Sequence, residues 1–198
     1  MAVLAGPDKM IATAPTTFDG THAFSWVARG KLFATVVPIS GFEKTYWVYL
    51  PNEAKRGHLL TGSISGVSSM VKVEVGAVAL EHFIESDLTT LLITFLPFDR
   101  YQLLDARYVD QYAESLDQTN IPESYRGDRS GYSLLRKVFE TPKVSIKGQT
   151  WTIECQVIAS NGSIEKWSFS GTLAEFQITS WNRKLIVPPD AVRPLPVM

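Results

Sequence analysis

The chain has 198 residues, enough for one domain of ordinary to large size with a substantial core. Hydrophobic residues make up 45% and charged residues 20%, a composition that excludes intrinsic disorder as the general state. The net charge is −1 with no basic block, which argues against nucleic-acid binding through a Lys/Arg patch or arm.

The sequence predicts neither secretion nor a membrane span. The first residues, MAVLAGPDKMIATAP, lack a basic region followed by a sustained apolar core, so we expect no secretory signal. No apolar run approaches the length that a transmembrane helix needs. The single cysteine, Cys155, excludes an internal disulfide and is typical of a reducing compartment or of an assembly that needs no disulfides.

The composition of both chain ends predicts terminal arms that flank a single domain at residues 23–186. Residues 1–22 are small, polar and interrupted by proline, and they predict an N-terminal arm. Residues 187–198, VPPDAVRPLPVM, predict a proline-rich tail that forms neither helix nor central strand. Such ends are ordered only when something holds them, so we expect them on neighbouring subunits or along the flank of the domain.

The first half of the domain is predicted to be mostly β-strand. Alternating or β-branched patterns indicate strands at 24–28, 31–37 and 44–51, where a proline ends the last one. Val71, Val73 and Val75 alternate with Lys72 and Glu74, which predicts a half-buried strand. Residues 88–96 are predicted to form a strand that is buried on both faces.

The second half adds strands at 143–147 and 151–157, and a run from 166 to 178. Short helices are predicted in the connections at 52–60, 100–115 and 134–139, although the aromatics of 100–115 would also suit a strand. Seven or eight strands with short helices between them predict an all-β, two-sheet sandwich or jelly roll.

The longest stretch without periodicity, Asp117–Gly131, is predicted to be a large surface loop. It contains Arg126, Gly127 and Asp128, the tripeptide that many proteins present to integrins. A three-residue motif also occurs by chance. Because the charged residue Arg129 follows the triplet, and because of the resemblance given below, the segment is predicted to be an exposed or inter-subunit polar loop.

No constellation of residues predicts catalysis, a cofactor or a metal. The three histidines, His22, His58 and His82, are widely separated, and metal sites need several converging ligands. Glu81, His82 and Glu85 come closest to a cluster, but they indicate a solvated face. GSISG at 62–66 has Ile64 where a nucleophile elbow needs serine, and a flexible connection explains it better.

Cys155 alternates with Ile153 and Val157 on the apolar side of a predicted strand, which predicts a buried, unreactive thiol. Asn161-Gly162-Ser163 matches a glycosylation sequon, but Asn-Gly between two alternating runs predicts a tight turn. The five tryptophans include Trp26, Trp151 and Trp167 on apolar strand positions, which favours core packing over a sugar-binding platform.

Several segments of the chain resemble, in order, those of one known family. The segments QTWTIECQV, WSFSGTLAEFQITSW and LIVPPDAVRPLPVM resemble the end of the small coat protein of comoviruses and related plant picorna-like viruses, where a Trp-containing strand precedes a final long strand and a proline-rich tail. MIATAP, SSMVKVEVGAV, LLITFLP and NIPESY resemble earlier pieces in the same order. Residues 98–121 look like additional sequence, and the turn at Asn161-Gly162 is tighter than in the family.

The resemblance implies a single jelly-roll coat domain, released from a polyprotein by a viral protease. It implies assembly with companion coat subunits into a pseudo-T=3 icosahedral shell that encloses an RNA genome, with the small subunit around the fivefold axes. In such a jelly roll the last two strands lie in opposite sheets. The expected partners are other coat subunits, homo- and hetero-oligomeric, and genomic RNA at the inner surface, with no membrane.

The resemblance therefore predicts a virion protein that is present in the host cytoplasm during assembly and has no enzymatic activity. Two alternatives belong to other classes. A soluble β-sandwich that binds carbohydrate or a receptor would show exposed tryptophans in a row on one sheet. An enzyme on a cupin-like jelly roll would need a cluster of metal ligands, which the sequence does not contain.

Overall fold

The computed structural model describes residues 18–19, 24, 26–39, 42–75, 79–98, 100–118, 122 and 126–195. The described residues form two compact units. The first contains the described residues up to Phe98 together with Thr172–Ile178, and the second contains those from residue 100 to Gly171 and from Thr179 onward. The sequence predicted one domain over 23–186, whereas these residues are divided between both units.

The first unit contains a four-stranded antiparallel sheet in sequential order. Its strands are β1 (Phe18–Asp19), β2 (Gly30–Ile39), β3 (Phe42–Pro51) and β4 (His58–Leu59). β2 and β3 pair along their full length, from Gly30 opposite Pro51 to Ile39 opposite Phe42. The strand predictions at 31–37 and 44–51 are therefore confirmed.

Three helices complete the first unit: α1 (Ile64–Glu74), α2 (Leu80–Ser86) and α3 (Leu88–Phe95). The strand predicted at 71–75 is wrong, because these residues form the end of α1. Val67, Met70 and Val71 are fully buried, and their spacing places them on one face of the helix. The buried face of α1 therefore begins before the Val71-Val73-Val75 alternation on which the strand prediction rested. Ser63 begins the helix, since its Oγ accepts a hydrogen bond from the Gly66 amide at 3.0 Å.

The strand predicted at 88–96 is also wrong, since Leu88–Phe95 is α3. Leu88, Leu91, Leu92 and Phe95 are all buried at helical spacing. The segment is apolar around most of its circumference, and periodicity does not distinguish such a helix from a buried strand. The helix predicted at 52–60 is absent too, because those residues form a turn followed by the short strand β4.

The second unit contains most of a five-stranded antiparallel sheet, whose residues Thr172 and Gln177–Ile178 belong to the first unit. Its strands are β5 (Tyr101–Leu103), β6 (Lys143–Lys147), β7 (Thr150–Ala159), β8 (Ile164–Thr172) and β9 (Gln177–Val187). The order is β5-β7-β8-β9, and β6 also pairs with β7. The strands predicted at 143–147 and 151–157 are confirmed, and the run from 166 to 178 is divided between β8 and β9.

Two helices accompany this sheet, α4 (Ala106–Leu116) and α5 (Arg129–Val138). α4 confirms a helix for most of 100–115, although Tyr101–Leu103 form β5, and α5 begins before the predicted 134–139, within the segment predicted to be a loop. Their apolar side chains share a buried cluster with the sheet, which comprises Leu104, Tyr108, Tyr112, Leu135, Ile158, Ile164, Val187 and Val192. The described chain is mostly β, with two antiparallel sheets, and its helices are more extensive than the short connections that were predicted.

The turn between β7 and β8 is short, but it is not the two-residue turn predicted from Asn161-Gly162, because residues 160–163 separate the strands and Asn161 does not have a positive φ. The Gly162 amide donates to the carbonyl of Ala159, and the Ala159 amide donates to the carbonyl of Ser163, both at 2.9 Å. Gly162 has φ of +78°, a conformation that favours glycine. β7, β8 and β9 are thus consecutive neighbours in one sheet, whereas the resembled jelly roll places its last two strands in opposite sheets.

Candidate functional site

The Arg126-Gly127-Asp128 triplet leads directly into α5, and Asp128 is the N-cap residue of that helix. Its Oδ1 accepts hydrogen bonds from the Gly131 amide at 2.7 Å and from the Ser130 hydroxyl at 2.5 Å. An aspartate at this position satisfies an amide that has no partner within the helix. The hydrogen bonds from Ser130 and Gly131, aided by the charge of Arg193, hold the pKa of Asp128 below its ordinary value.

Gly127 packs against the ring of Tyr112 in α4, and a Cβ at this position would collide with the ring carbons. The Gly127 amide donates to Ser115 Oγ at 3.0 Å, and the Asp128 amide donates to the Tyr112 hydroxyl at 3.1 Å. Burial raises the pKa of Tyr112. All three residues of the triplet are half-buried, so within this chain Gly127 and Asp128 join α4 to the start of α5.

β9 is the longest strand of the second unit and occupies one edge of its sheet in the described chain. It has 11 residues, about twice the usual length of a strand. Asn182–Leu185 are all exposed, and 56% of Leu185 is accessible to solvent. An edge strand presents backbone amides and carbonyls that can pair with another chain, and native proteins usually keep such strands short or blocked.

Arg183 is held against the sheet rather than extended outward. Its guanidinium makes a bidentate contact with Glu165, at 2.8 Å from Nε and 2.9 Å from Nη2. The same group lies over three aromatic rings, 5.3 Å from the centroids of Tyr101 and Trp167 and 5.7 Å from that of Trp181. Burial opposes ionisation of Glu165, but hydrogen bonds from Arg183 and Trp167 outweigh it and lower its pKa.

The start of the proline-rich tail packs on the second unit of its own chain. Val192 is 1% exposed, and its carbonyl lies beside Gly162. The Leu195 amide donates to the Tyr108 hydroxyl at 3.1 Å, and Gln102 Nε2 donates to the Leu195 carbonyl at 3.0 Å. Of the two locations expected for the tail, the flank of the domain is the one observed for 188–195. The N-terminal arm lies almost wholly outside the described residues.

An open cleft of about 590 Å³ lies beside the start of α1 in the first unit. Its lining consists of Gly62, Ser63, Ile64, Ser65, Ser68, Ser69, Lys72, Gln177 and Ile178. The lining contains serine hydroxyls and one ammonium group, but no carboxylate or imidazole. None of the residues that line this cleft can therefore act as a general base toward one of its serines.

The residues weighed as metal ligands or nucleophiles do not converge in the described part of the chain. His58 stacks on Tyr49 in the first unit, with 6.4 Å between ring centroids, and His22 lies outside the described residues. No group of three His, Cys, Asp or Glu residues there is placed to hold a metal ion. Cys155 is 3% exposed, and burial raises the pKa of its thiol to about 12, in agreement with the predicted unreactive thiol.

None of the five tryptophans is exposed. Trp151 and Trp167 are fully buried, which confirms the predicted core positions, and Trp26, Trp47 and Trp181 are half-buried. The exposed row of tryptophans that a sugar-binding sandwich needs is therefore not present. No helix within the described ranges has both the length and the apolar character to cross a bilayer.

The exposed edge formed by β9 was not predicted from the sequence. The prediction placed Ile178 at the end of a continuous strand and left the residues after it unassigned. The β-branched and aromatic residues Ile178, Thr179 and Trp181, followed by Leu185-Ile186-Val187, could have indicated a further strand. The position of that strand at a sheet edge could not be read from the sequence, because strand order depends on long-range pairing.

Comparison with protein-family models, with curated proteins and with solved structures found no match.

Proposed function

We propose that the chain is a structural coat subunit that assembles with copies of itself and with companion subunits into an icosahedral, pseudo-T=3 capsid. The resemblance of its segments to small comovirus-like coat proteins motivates the identity of the assembly. The proposal places the protein in the virion, around an RNA genome, and assigns it no enzymatic role.

The observation that carries the proposal is the open edge of β9. A long edge strand with an exposed leucine is suited to strand addition, in which backbone hydrogen bonds supply affinity and an apolar side chain supplies a contact point. Because Glu165 and three aromatic rings hold Arg183, its charge is kept against the sheet and away from a docking strand. Leu185, two residues further along, remains available for the contact.

The proposal depends on this surface and not on the jelly-roll topology that the resemblance implies. A coat function requires subunits that bind one another over a sufficient area, which for a stable contact means about 1,200–2,000 Å² in total. The sequential arrangement of β7, β8 and β9 in one sheet is a departure from the coat fold. The single jelly roll that the resemblance implies is therefore not part of the support for the proposal.

The test uses the full chain, examined by sedimentation velocity and by electron microscopy of negatively stained samples. We expect oligomers or particles from the unmodified chain, and their loss in Leu185→Glu with unchanged circular dichroism. Leu185→Met preserves apolar volume and serves as the matched control, so it should assemble normally. A chain that remains monomeric at high concentration, alone and with companion subunits, would refute the coat function.

A further inference from the structure

The two helices of the second unit pack side by side on the same sheet. The rings of Tyr112 in α4 and Tyr132 in α5 are stacked, with centroids 6.5 Å apart and an angle of 9° between their planes. Tyr112 and Leu135 share one buried cluster with Ile158 of the sheet. Because both helices cover that cluster, their opposite faces point away from it on the same side of the unit.

These outward faces carry opposite charges. α4 and its C-cap residue expose acidic side chains, and Arg107 is the single base of the helix. The charged side chains that α5 exposes are all basic, and the helix contains no acidic residue. The charged positions are Asp110, Glu114 and Asp117 on the acidic side, and Arg129, Arg136 and Lys137 on the basic side. None of the six makes an ion pair with another described residue.

The acidic and basic stripes also match in length. Asp110 and Asp117 are seven residues apart, as are Arg129 and Arg136. At 1.5 Å per residue each separation is about 10 Å, or two helical turns. Seven residues return the chain to nearly the same side of a helix, so each pair marks one continuous stripe. The two stripes can therefore oppose each other over two turns.

We propose that α4 and α5 form a self-complementary contact between two copies of this chain. A twofold axis would place α4 of each copy against α5 of the other, so that each acidic stripe meets a basic one twice. A polyanion such as RNA is a poorer match, because the carboxylates of α4 beside α5 would repel it. This inference rests on the proposed assembly and names a second copy as the partner for this surface.

The experiment uses two charge-reversed forms of the full chain. The acidic form carries Arg136→Glu and Lys137→Glu, and the basic form carries Asp110→Lys and Glu114→Lys. Sedimentation velocity at about 50 mM salt, where surface charges are weakly screened, measures their self-association. We expect each form alone to associate at least about tenfold more weakly than the unmodified chain. Lys147→Glu, an exposed reversal on β6, is the matched control and should associate normally.

The decisive measurement is the equimolar mixture of the two forms. In a twofold contact each negatively charged helix of the acidic form faces a positively charged helix of the basic form. The mixture should therefore regain association that neither form shows alone. Loss of folding cannot produce this recovery, and circular dichroism of each form provides a second check. Association that is unchanged in both forms, or a mixture that fails to recover, would overturn the inference.

The outcome also separates this contact from the proposed coat function. If Leu185→Glu abolishes particles while both charge-reversed forms associate normally, the β9 edge is an assembly surface and the helical contact is refuted. If the unmodified chain does not associate in any salt concentration, the helical contact and the assembly that it rests on fail together. Recovery in the mixture with normal particles from Leu185→Glu would support the helical contact and refute the β9 edge.

Discussion

Removal of the carboxylate at the start of α5 provides a quantitative test of the role of Asp128. Asp128→Ala eliminates the acceptor of the Gly131 amide and of the Ser130 hydroxyl. Loss of an N-cap acceptor costs about 1 kcal/mol, and loss of a negative charge at a helix N-terminus costs about 0.3–1 kcal/mol more. The expected decrease in the free energy of unfolding is therefore about 1.3–2 kcal/mol.

In a chain of this size, 1 kcal/mol shifts the melting temperature by about 2–4 °C, so we expect a decrease of about 3–8 °C. Thermal unfolding followed by circular dichroism measures the shift. Hydrogen exchange identifies the part of the chain that is destabilised, because the amide of Gly131 should lose protection before amides in β7. Asp128→Asn preserves an oxygen acceptor and removes only the charge, so it should lose less than half as much stability.

The reasoning is refuted if Asp128→Ala and Asp128→Asn unfold at the same temperature as the unmodified chain, or if both lose the same amount. The same variants examine the integrin motif. Because Asp128 is engaged by its own helix, we expect no integrin-dependent cell attachment by the unmodified chain. Attachment that disappears in Asp128→Asn without a loss of stability would show that the carboxylate is displayed to a receptor.

Three further predictions follow from the second unit. Gly127→Ala should destabilise it by about 1–3 kcal/mol, since the added methyl group meets the buried Tyr112 ring, and urea unfolding measures this. Cys155 should resist a thiol reagent at pH 8 in the folded chain and react after denaturation; rapid labelling of the folded chain would contradict its burial. The lowered pKa of Glu165 means that its stabilisation is present above its ordinary value of 4.5 and is lost as the pH falls through the lowered value. The stability difference between the unmodified chain and Glu165→Gln should therefore shrink below about pH 4, and a constant difference down to pH 2 would show that ionisation of Glu165 contributes nothing.

Prediction of the fold succeeded where local pattern and burial agree. β7 alternates exposed and buried residues over its first half, and its exact period of two allowed only one assignment. α3 and the end of α1 failed for the opposite reason. The apolar run of Leu88–Phe95 and the short alternation at Val71–Val75 are compatible with either period, so the tertiary environment decided between them.

Prediction of the functional surface was more limited. The triplet at Arg126–Asp128 was predicted to lie in an exposed or inter-subunit loop, whereas its half-buried state depends on the Tyr112 ring from another helix. The edge position of β9 was not predictable either. A strand pattern is the same at the centre and at the edge of a sheet, and only the pairing partners distinguish the two.

By itself the sequence determined the features that depend on near neighbours. These are the strands β2, β3, β6 and β7, the short turn at Asn161-Gly162 and the buried thiol of Cys155. Tertiary structure decided the division into two units, the choice of helix for two apolar segments, and which strand and which charged helical faces are open to a partner. The physical reason is that turn geometry and side-chain alternation act within a few residues, whereas exposure is set by contacts between residues far apart in the chain.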